Sequence, residues 1–482
     1  DELRAAVAPF TPARVAARCG IAADEIRELA RTIAAAERAV VYGRIGTCTQ
    51  EYGTIASWLV DALNVITGNL DREGGAMFPK AAAFAANTLG APGKGKGITT
   101  GRRTSRVSGA PEVFGELPMG CLVEEIEAPG EGQVRGLLTI ASNPVLSAPN
   151  GPRLALALAS LELMVSVDIY LNETTRHAHV ILPGLSPLED AHYDVAFPQL
   201  AWRNTARFSS PVFPRDDRPS EWELLLRLTA IAMGKGAGAD LRALDDALTA
   251  ADVKRTAGPF AEPMLALVKD LRGPERMLEL GLRAGPYGDR FGQVPDGLTL
   301  AKLRATPAGI DLGALAPRIP EVLRTPSGKI ELAPPPLLAD LARVEADLAR
   351  PVPAMVVIGR RQLRSNNSWM HNLPTLAKGK FRCTALVHPG DAARLGLATG
   401  ARAEVVRGER SITVEIEVTD QMMPGVISVP HGWGHDEPDT RMTVAAARPG
   451  ANLNALLDDA LRDPLSGNAV LGGVAVELRP IG

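Results

Sequence analysis

Three arginines, two asparagines and two serines crowd into ten residues, Gly359-Arg360-Arg361-Gln362-Leu363-Arg364-Ser365-Asn366-Asn367-Ser368, directly after the short apolar run Met355 to Ile358. Guanidinium forks pair with phosphate oxygens, while amides and hydroxyls match the polar edges of a heterocycle. The chemistry on offer is recognition of an anion or a base at a strand exit. A solvated polar loop has the same composition, and the residues alone leave both readings open. Near the other end, Gly43-Arg44-Ile45-Gly46-Thr47-Cys48-Thr49-Gln50 lies between an apolar run and a helical pattern. That order presents backbone N–H groups to an anion, although many α/β crossovers share it without binding anything. His431, in Pro430-His431-Gly432-Trp433-Gly434, can donate a hydrogen bond or a proton, or serve as a buried structural histidine.

The elements that must hold these residues follow from periodicity. A helix begins at Asp24-Glu25-Ile26, with Ile26, Leu29, Ala30 and Ile33 at helical spacing. Ala39-Val40-Val41-Tyr42 reads as a strand into the glycine-bearing loop, and a helix follows with Ile55, Trp58, Leu59, Ala62, Leu63 and Ile66 on one face. Leu137 to Ile140 is a buried-type strand, Arg153 to Ser160 a helix and Leu163 to Val167 a second strand. This βαβ crossover implies parallel strands. Asn143 and Asp168 follow the two strand ends, at the sheet edge where open α/β folds bind ligands. Val180 to Pro183 adds a short strand, and Trp222, Leu225, Leu226 and Thr229 mark a helix. Thr325 to Leu332 reads as a turn entering a strand. Beyond residue 352, strict alternation of Ile412, Val414, Ile416 and Val418 with a hairpin turn at Gly408-Glu409 predicts a compact β-barrel domain.

Composition narrows the class. The 482 residues are 46% hydrophobic and 22% charged with net charge −3, an ordinary globular balance that points away from nucleic acid. No apolar run approaches the roughly 18 residues of a membrane span. Cys19, Cys48, Cys121 and Cys383 are scattered without a CxxC pair, so no zinc ribbon or iron–sulfur cluster is written here. Gly90 to Gly97 nearly spells a P-loop, but Gly97 stands where Ser or Thr must bind Mg²⁺, and no strand precedes it. The chain opens at Asp1 with neither methionine nor a signal-peptide pattern, and the expectation is a fragment.

Six blocks in order resemble the molybdopterin-guanine-dinucleotide oxidoreductases, the dimethyl sulfoxide reductase superfamily. They are Gly43 to Gln50 with Thr67 to Gly75; Ser142-Asn143-Pro144; Asp168 to Thr174 with Val180 to Pro183 and Glu189-Asp190; Thr325 to Leu332; Gly359 to Ser368; and Asn452-Leu453-Asn454 with Asp463 to Gly467. The resemblance implies an α/β fold of open, mostly parallel sheet modules with flanking helices, then a C-terminal six-stranded double-psi-type β-barrel. The expected boundaries are 1–75 for the end of a first α/β module, 76–225 for a second dinucleotide-binding module, 226–350 for a helical connection and 351–482 for the barrel domain.

By the same resemblance the cofactor is molybdenum held by two molybdopterin guanine dinucleotides, with a [4Fe–4S] cluster expected only in an N-terminal region outside this chain. Gly43, Gly46, Thr49 and Gln50 would belong to the cofactor site. Asn143 and Asp168 would belong to one dinucleotide site, with Glu173 and Thr174 pinning the same loop. A carboxylate accepting from guanine N1–H and the exocyclic amine selects guanine over adenine; as an alternative, Asp168 is a helix N-cap. Arg361, Ser365, Asn367 and Ser368, with Asn452 and Asn454, would contact pterin and diphosphate, although Asn also favours turns. No residue matches the metal ligand, and Cys48 lies downstream of the ligand's place in the family, which leaves it a loop or core thiol. Formate dehydrogenases carry Arg-Gly-Gln-Asn-Asn where this chain has Ala76-Met77-Phe78-Pro79-Lys80, so a nitrate-reductase-like or other oxidoreductase is the closer expectation. A small redox substrate, an electron-transfer subunit or ferredoxin-like partner, and a cytoplasmic or periplasmic setting complete it. The competing reading is a non-catalytic scaffold subunit of the same fold.

Overall fold

The βαβ pattern predicted around residue 150 forms as written. A computed structural model describes residues 1–84 and 100–481. Strand β1 (Gly136–Ile140) pairs in parallel with β2 (Leu163–Val167), and β3 (Val180–Leu182) completes a three-stranded sheet in the order β1-β2-β3. Between β1 and β2 run a single turn, α1 (Pro144–Ser147), and helix α2 (Gly151–Ala159). Leu154, Ala157 and Leu158 of α2 pack on Met164 of β2. The other face is covered unevenly: Val167 is fully buried, while Leu138 and Ile140, read as part of a fully buried run, are each 43% exposed.

Residues 351–482 contribute a mixed seven-stranded sheet. Its strands are β4 (Val356–Arg360), β5 (Thr384–Val387), β6 (Arg402–Arg407), β7 (Arg410–Val418), β8 (Val426–Pro430), β9 (Gly472–Ala475) and β10 (Glu477–Pro480), in the order β9-β4-β8-β5-β7-β6-β10. The pairs β4–β8 and β5–β7 are parallel. The count is seven rather than six because the last extended run divides at Val476. One half, β9, pairs with β4, and the other, β10, pairs with β6. Gly408-Glu409 closes the β6–β7 hairpin, Gly408 taking the positive φ (59°) that a two-residue turn needs. The predicted alternation holds, with Ile412, Val414 and Ile416 buried in one core with Val357, Val405, Ile427 and Leu456.

Two expected strands do not form among the described residues, and a third is shorter than strand alternation through the arginines required. Ala39 to Tyr42 forms no strand among the described residues, and buried Asn64 takes the bonds of Val41: Val41 N–H donates to its Oδ1 at 2.9 Å, and its Nδ2 donates to the Val41 carbonyl at 2.8 Å. Thr325 to Lys329 forms its turn, but no strand follows it. The strand before the arginine cluster stops at Arg360 instead of continuing through it. Asn366 and Asn367 then adopt left-handed backbone (φ 41° and 57°), which asparagine tolerates better than most residues. The glycine–lysine stretch Gly90 to Gly97 lies outside the described residues.

The compact units are not consecutive in sequence. One contains residues 1–67, 100–181 and 331–481 among those described, and the other contains 68–84 and 182–330. The second is built largely on helices, including Glu221–Ala232, Leu241–Ala257 and Gly273–Ala284, with Leu278, Leu282, Leu300 and Leu303 central to its core. No helix among the described residues is long and apolar enough to cross a membrane.

Candidate functional site

At the β1–β2 edge, Asp168 terminates β2 in an Asx-type turn. Its Oδ1 accepts from Tyr170 N–H at 2.9 Å and its Oδ2 from Asn172 Nδ2 at 3.2 Å. Burial pushes this carboxyl above its ordinary value, and the hydrogen bonds from Tyr170 and Asn172 only partly offset it. The side chain is half-buried at the sheet edge, so further donors can still reach it. Asn143, by contrast, is fully engaged: its Nδ2 donates to Glu173 Oε2 at 2.7 Å, and its Oδ1 accepts from Thr174 Oγ1 at 2.7 Å. Thr174 Oγ1 also accepts from Val145 N–H at 3.1 Å. These three buried side chains lock the strand-exit loops together and position Asp168 without themselves facing outward.

The C-terminal asparagines bind the same loop from the other side. Asn452 Nδ2 donates to the Val145 carbonyl at 3.2 Å, and Asn454 Nδ2 to the Leu146 carbonyl at 2.7 Å, satisfying carbonyls at the end of α1. Asn150 N–H returns a bond to the Asn454 carbonyl at 2.8 Å. Asn454 Nδ2 also lies 3.4 Å from His431 Nδ1. Its Oδ1 is buried with no partner in the protein, an acceptor that calls for a donor.

His431 neighbours Asn454, and the charge of Arg361 reaches His431 in turn. Arg361 is exposed and donates through Nη1 to Asn367 Oδ1. Loss of hydration lowers its guanidinium from the ordinary value, with no carboxylate nearby to reverse the effect. Burial, then the positive charge of Arg361, pushes His431 down to about 4. An exposed cation hydrogen-bonded to an amide oxygen, a neutral imidazole and an unpartnered amide oxygen suit a ligand carrying both an anion and N–H donors. Ser365 is buried with its Oγ donating to the Gln362 carbonyl at 3.1 Å, and Ser368 is buried in the same turn. Gly432 has φ +89°, and a Cβ there would meet the Asn367 carbonyl at 2.4 Å, so only glycine lets the His431 loop press on this turn.

Arg360 has a different job from its neighbour. Its Nη1 donates to the Ser428 carbonyl and its Nη2 to the Thr384 carbonyl at 2.7 Å, tying together β4, β8 and β5.

The loop at Gly43, Gly46, Thr49 and Gln50 is organised mainly by its own bonds. Thr49 Oγ1 donates to the Ile45 carbonyl at 2.9 Å, and Gln50 Oε1 accepts from Tyr52 N–H at 2.8 Å. A helix over Gly53–Ile66 begins beyond it. Its N-terminus holds an anion from the chain itself: Asp463 Oδ2 accepts from Thr54 N–H at 3.0 Å and from Thr54 Oγ1. Cys48 is a free thiol with Sγ 3.7 Å from Ser57 Oγ. Among the described residues, no group of three His, Cys, Asp or Glu could hold a metal ion.

Two residues escape the sequence reading. His435 and His371 are buried, with His435 Nδ1 2.8 Å from Glu173 Oε1 and its Nε2 2.8 Å from His371 Nδ1. The ring of His371 lies 4.0 Å from that of Trp433. The repeated histidine in His431-Gly432-Trp433-Gly434-His435 was the available signal.

Comparison with known proteins places these residues in two matched regions. Residues 12–228 match a family model described as "Molybdopterin oxidoreductase", and 355–475 one described as "Molydopterin dinucleotide binding domain". The chain is 34% identical over 113 residues to the assimilatory nitrate reductase catalytic subunit of Bacillus subtilis, covering 23% of this chain and 15% of that protein. It is 23% identical over 483 residues to the menaquinone reductase, molybdopterin-binding-like subunit of Nitratidesulfovibrio vulgaris, covering 99% of this chain and 58% of the relative. The chain therefore spans well under two thirds of either relative. Acetylene hydratase from Pelobacter acetylenicus shares the fold, with TM-score 0.66 at 17% identity over 96% of this chain and 63% of that one.

Proposed function

Because the chain belongs to the molybdopterin oxidoreductase family and carries its dinucleotide-binding domain, we propose that it forms part of the catalytic subunit of a redox enzyme holding molybdenum between two molybdopterin guanine dinucleotides. The observation that carries this reading is the Arg361–His431–Asn454 group, whose deficits of anion and N–H donor lie within the matched domain. When bound, the cofactor supplies two-electron redox chemistry at the metal, and the protein supplies orientation and electrostatics.

In this reading Arg361 grips diphosphate or the pterin edge through its planar fork. Asn367 orients that fork, Ser365 and Ser368 fix the turn, and Asn454 Oδ1 accepts from a pterin N–H. Asn452 holds the α1 loop against the site. Asp168 accepts from guanine N1–H and its exocyclic amine, while Asn143, Glu173 and Thr174 hold its loop in register. Gly43, Gly46, Thr49 and Gln50 form the remaining wall. The seven-stranded sheet closes as a double-psi-type barrel through Val476, and the substrate is a small oxidant or reductant of the nitrate type. Relatives that are subunits of electron-transfer complexes support a partner subunit.

Asp168 provides the test. The chain should bind GDP in preference to ADP, and Asp168→Ala should weaken GDP about 5- to 150-fold, the equivalent of about 1–3 kcal/mol for a lost buried hydrogen-bond partner. ADP affinity should not change. Calorimetric titration in which GDP and ADP behave alike, before and after the substitution, would return Asp168 to its turn and remove it from the guanine site.

A further inference from the structure

Glu173, His435 and His371 form a hydrogen-bonded chain wholly inside one compact unit, drawn from three separate sequence regions. Glu173 and His435 have no exposed surface, and His371 is 5% exposed. The carboxylate sets the proton positions. Burial pushes Glu173 up, but the bonds from His435 and Asn143 outweigh it and leave the group below its ordinary value, hence ionised. An ionised carboxylate only accepts, so His435 Nδ1 carries a hydrogen. With His435 neutral, its Nε2 is an acceptor and His371 Nδ1 carries the next hydrogen. That leaves His371 Nε2 with a free lone pair, and this buried atom has no partner in the protein.

We propose that this chain is a proton relay that takes up a proton at His371 Nε2 and holds its charge at His435 beside Glu173. The incoming solvent proton forms a bond to His371 Nε2. The His371 Nδ1–H bond breaks as that proton passes to His435 Nε2, making His435 an imidazolium whose Nδ1–H still faces Glu173. One proton enters, one positive charge appears at His435, and no electron pair leaves the chain.

The surroundings set the direction. His371 lines a small pocket with Gln362, Trp433, Arg364, Lys380, Arg382 and Arg448. Four cations on that wall oppose a charge resting on His371. Burial first, then His435, pushes His371 down to about 3, against the pull of Glu173 and the Gly432 carbonyl and with His431 adding to the depression. Arg361 acts in the same sense on His431. Among the described residues, the anion hydrogen-bonded to the pair is Glu173, and it touches His435 rather than His371. A proton entering from the pocket therefore comes to rest one ring further in. That it serves a proton-coupled redox step rests on the proposed function; the relay itself requires no cofactor.

Long-range ¹H–¹⁵N correlation spectra of the seven histidine rings, recorded on the cofactor-free chain from about pH 8 to about pH 5, test it. At high pH both rings should be Nδ1–H tautomers. On acidification His435 should become doubly protonated while the His371 hydrogen moves from Nδ1 to Nε2 at the same midpoint. Glu173→Gln should shift both changes together to lower pH by at least tenfold in acidity. If that variant does not fold, the shared midpoint in the unaltered chain decides the matter. Separate midpoints, His371 Nε2–H at every pH, or a neutral His435 until acid unfolding would each overturn the relay. None of these outcomes bears on whether the protein binds molybdenum.

Discussion

His435→Ala should lower the unfolding free energy by about 3–5 kcal/mol, because it leaves the Glu173 carboxylate buried without its charged or hydrogen-bonding counterpart. Asn143 Nδ2 would remain as the side-chain donor to Glu173, too little to replace an imidazole in a dry site. Urea unfolding at neutral pH measures the loss; a change below about 1 kcal/mol would mean that water reaches the carboxylate and the pair is not truly enclosed. The same interior makes the unaltered protein acid-sensitive. His371 falls from 6.5 to about 3 and His431 from 6.5 to about 4 on folding, so the unfolded chain binds more protons between those values. Stability contributed by neutral burial is complete above about pH 6.5 and declines as pH falls toward about 3–4. Glu173, also held below its ordinary value, withdraws its contribution in the same direction as it protonates. Stability that stayed level from pH 6.5 to 4 would show both rings protonated in the folded state.

Arg361→Lys and Arg360→Lys should fail in opposite ways. Lysine at 361 keeps a charge but loses the paired parallel donors of the guanidinium, so cofactor retention should drop at least about tenfold with stability within about 0.5 kcal/mol. Lysine at 360 cannot reach both the Ser428 and Thr384 carbonyls, and its cost should be structural, about 1–3 kcal/mol for the bonds lost. Simple alternation along an extended strand would make 360 the tolerant position. The chain instead turns after Arg360, and the guanidinium there braces the sheet. Urea titration and guanine-nucleotide content of the two purified variants separate them. Equal responses would reduce the arginine cluster to a charged surface.

What could be read from the sequence was set by local interactions. The β1–α2–β2 crossover, the Gly408-Glu409 turn and the alternation through Ile416 are written as repeating patterns within each segment, and all three form. The misreadings involve distant partners. Asn64 replaces a strand beside Val41 from 23 residues away, and Asp463 fills the helix start at Thr54 from 409 residues away. Glu173 meets His435 across 262 residues, and His371 meets His435 across 64. No periodicity carries that information. His431 follows a strand and neighbours Asn454, while the buried connection to Glu173 belongs to the histidine four residues later. Asn143, Glu173 and Thr174 sit together as the resemblance implied, and their mutual bonds hold the loops at the β1–β2 edge to each other.

Molybdenum and nucleotide content tests the central claim most directly. The protein should be purified intact from cells grown anaerobically with molybdate, its metal measured by mass spectrometry, and its nucleotide released by acid hydrolysis. The account predicts bound molybdenum with about two GMP for each metal atom and no AMP or CMP, as two guanine dinucleotides require. A correctly folded protein from the same cells with neither molybdenum nor GMP would contradict it.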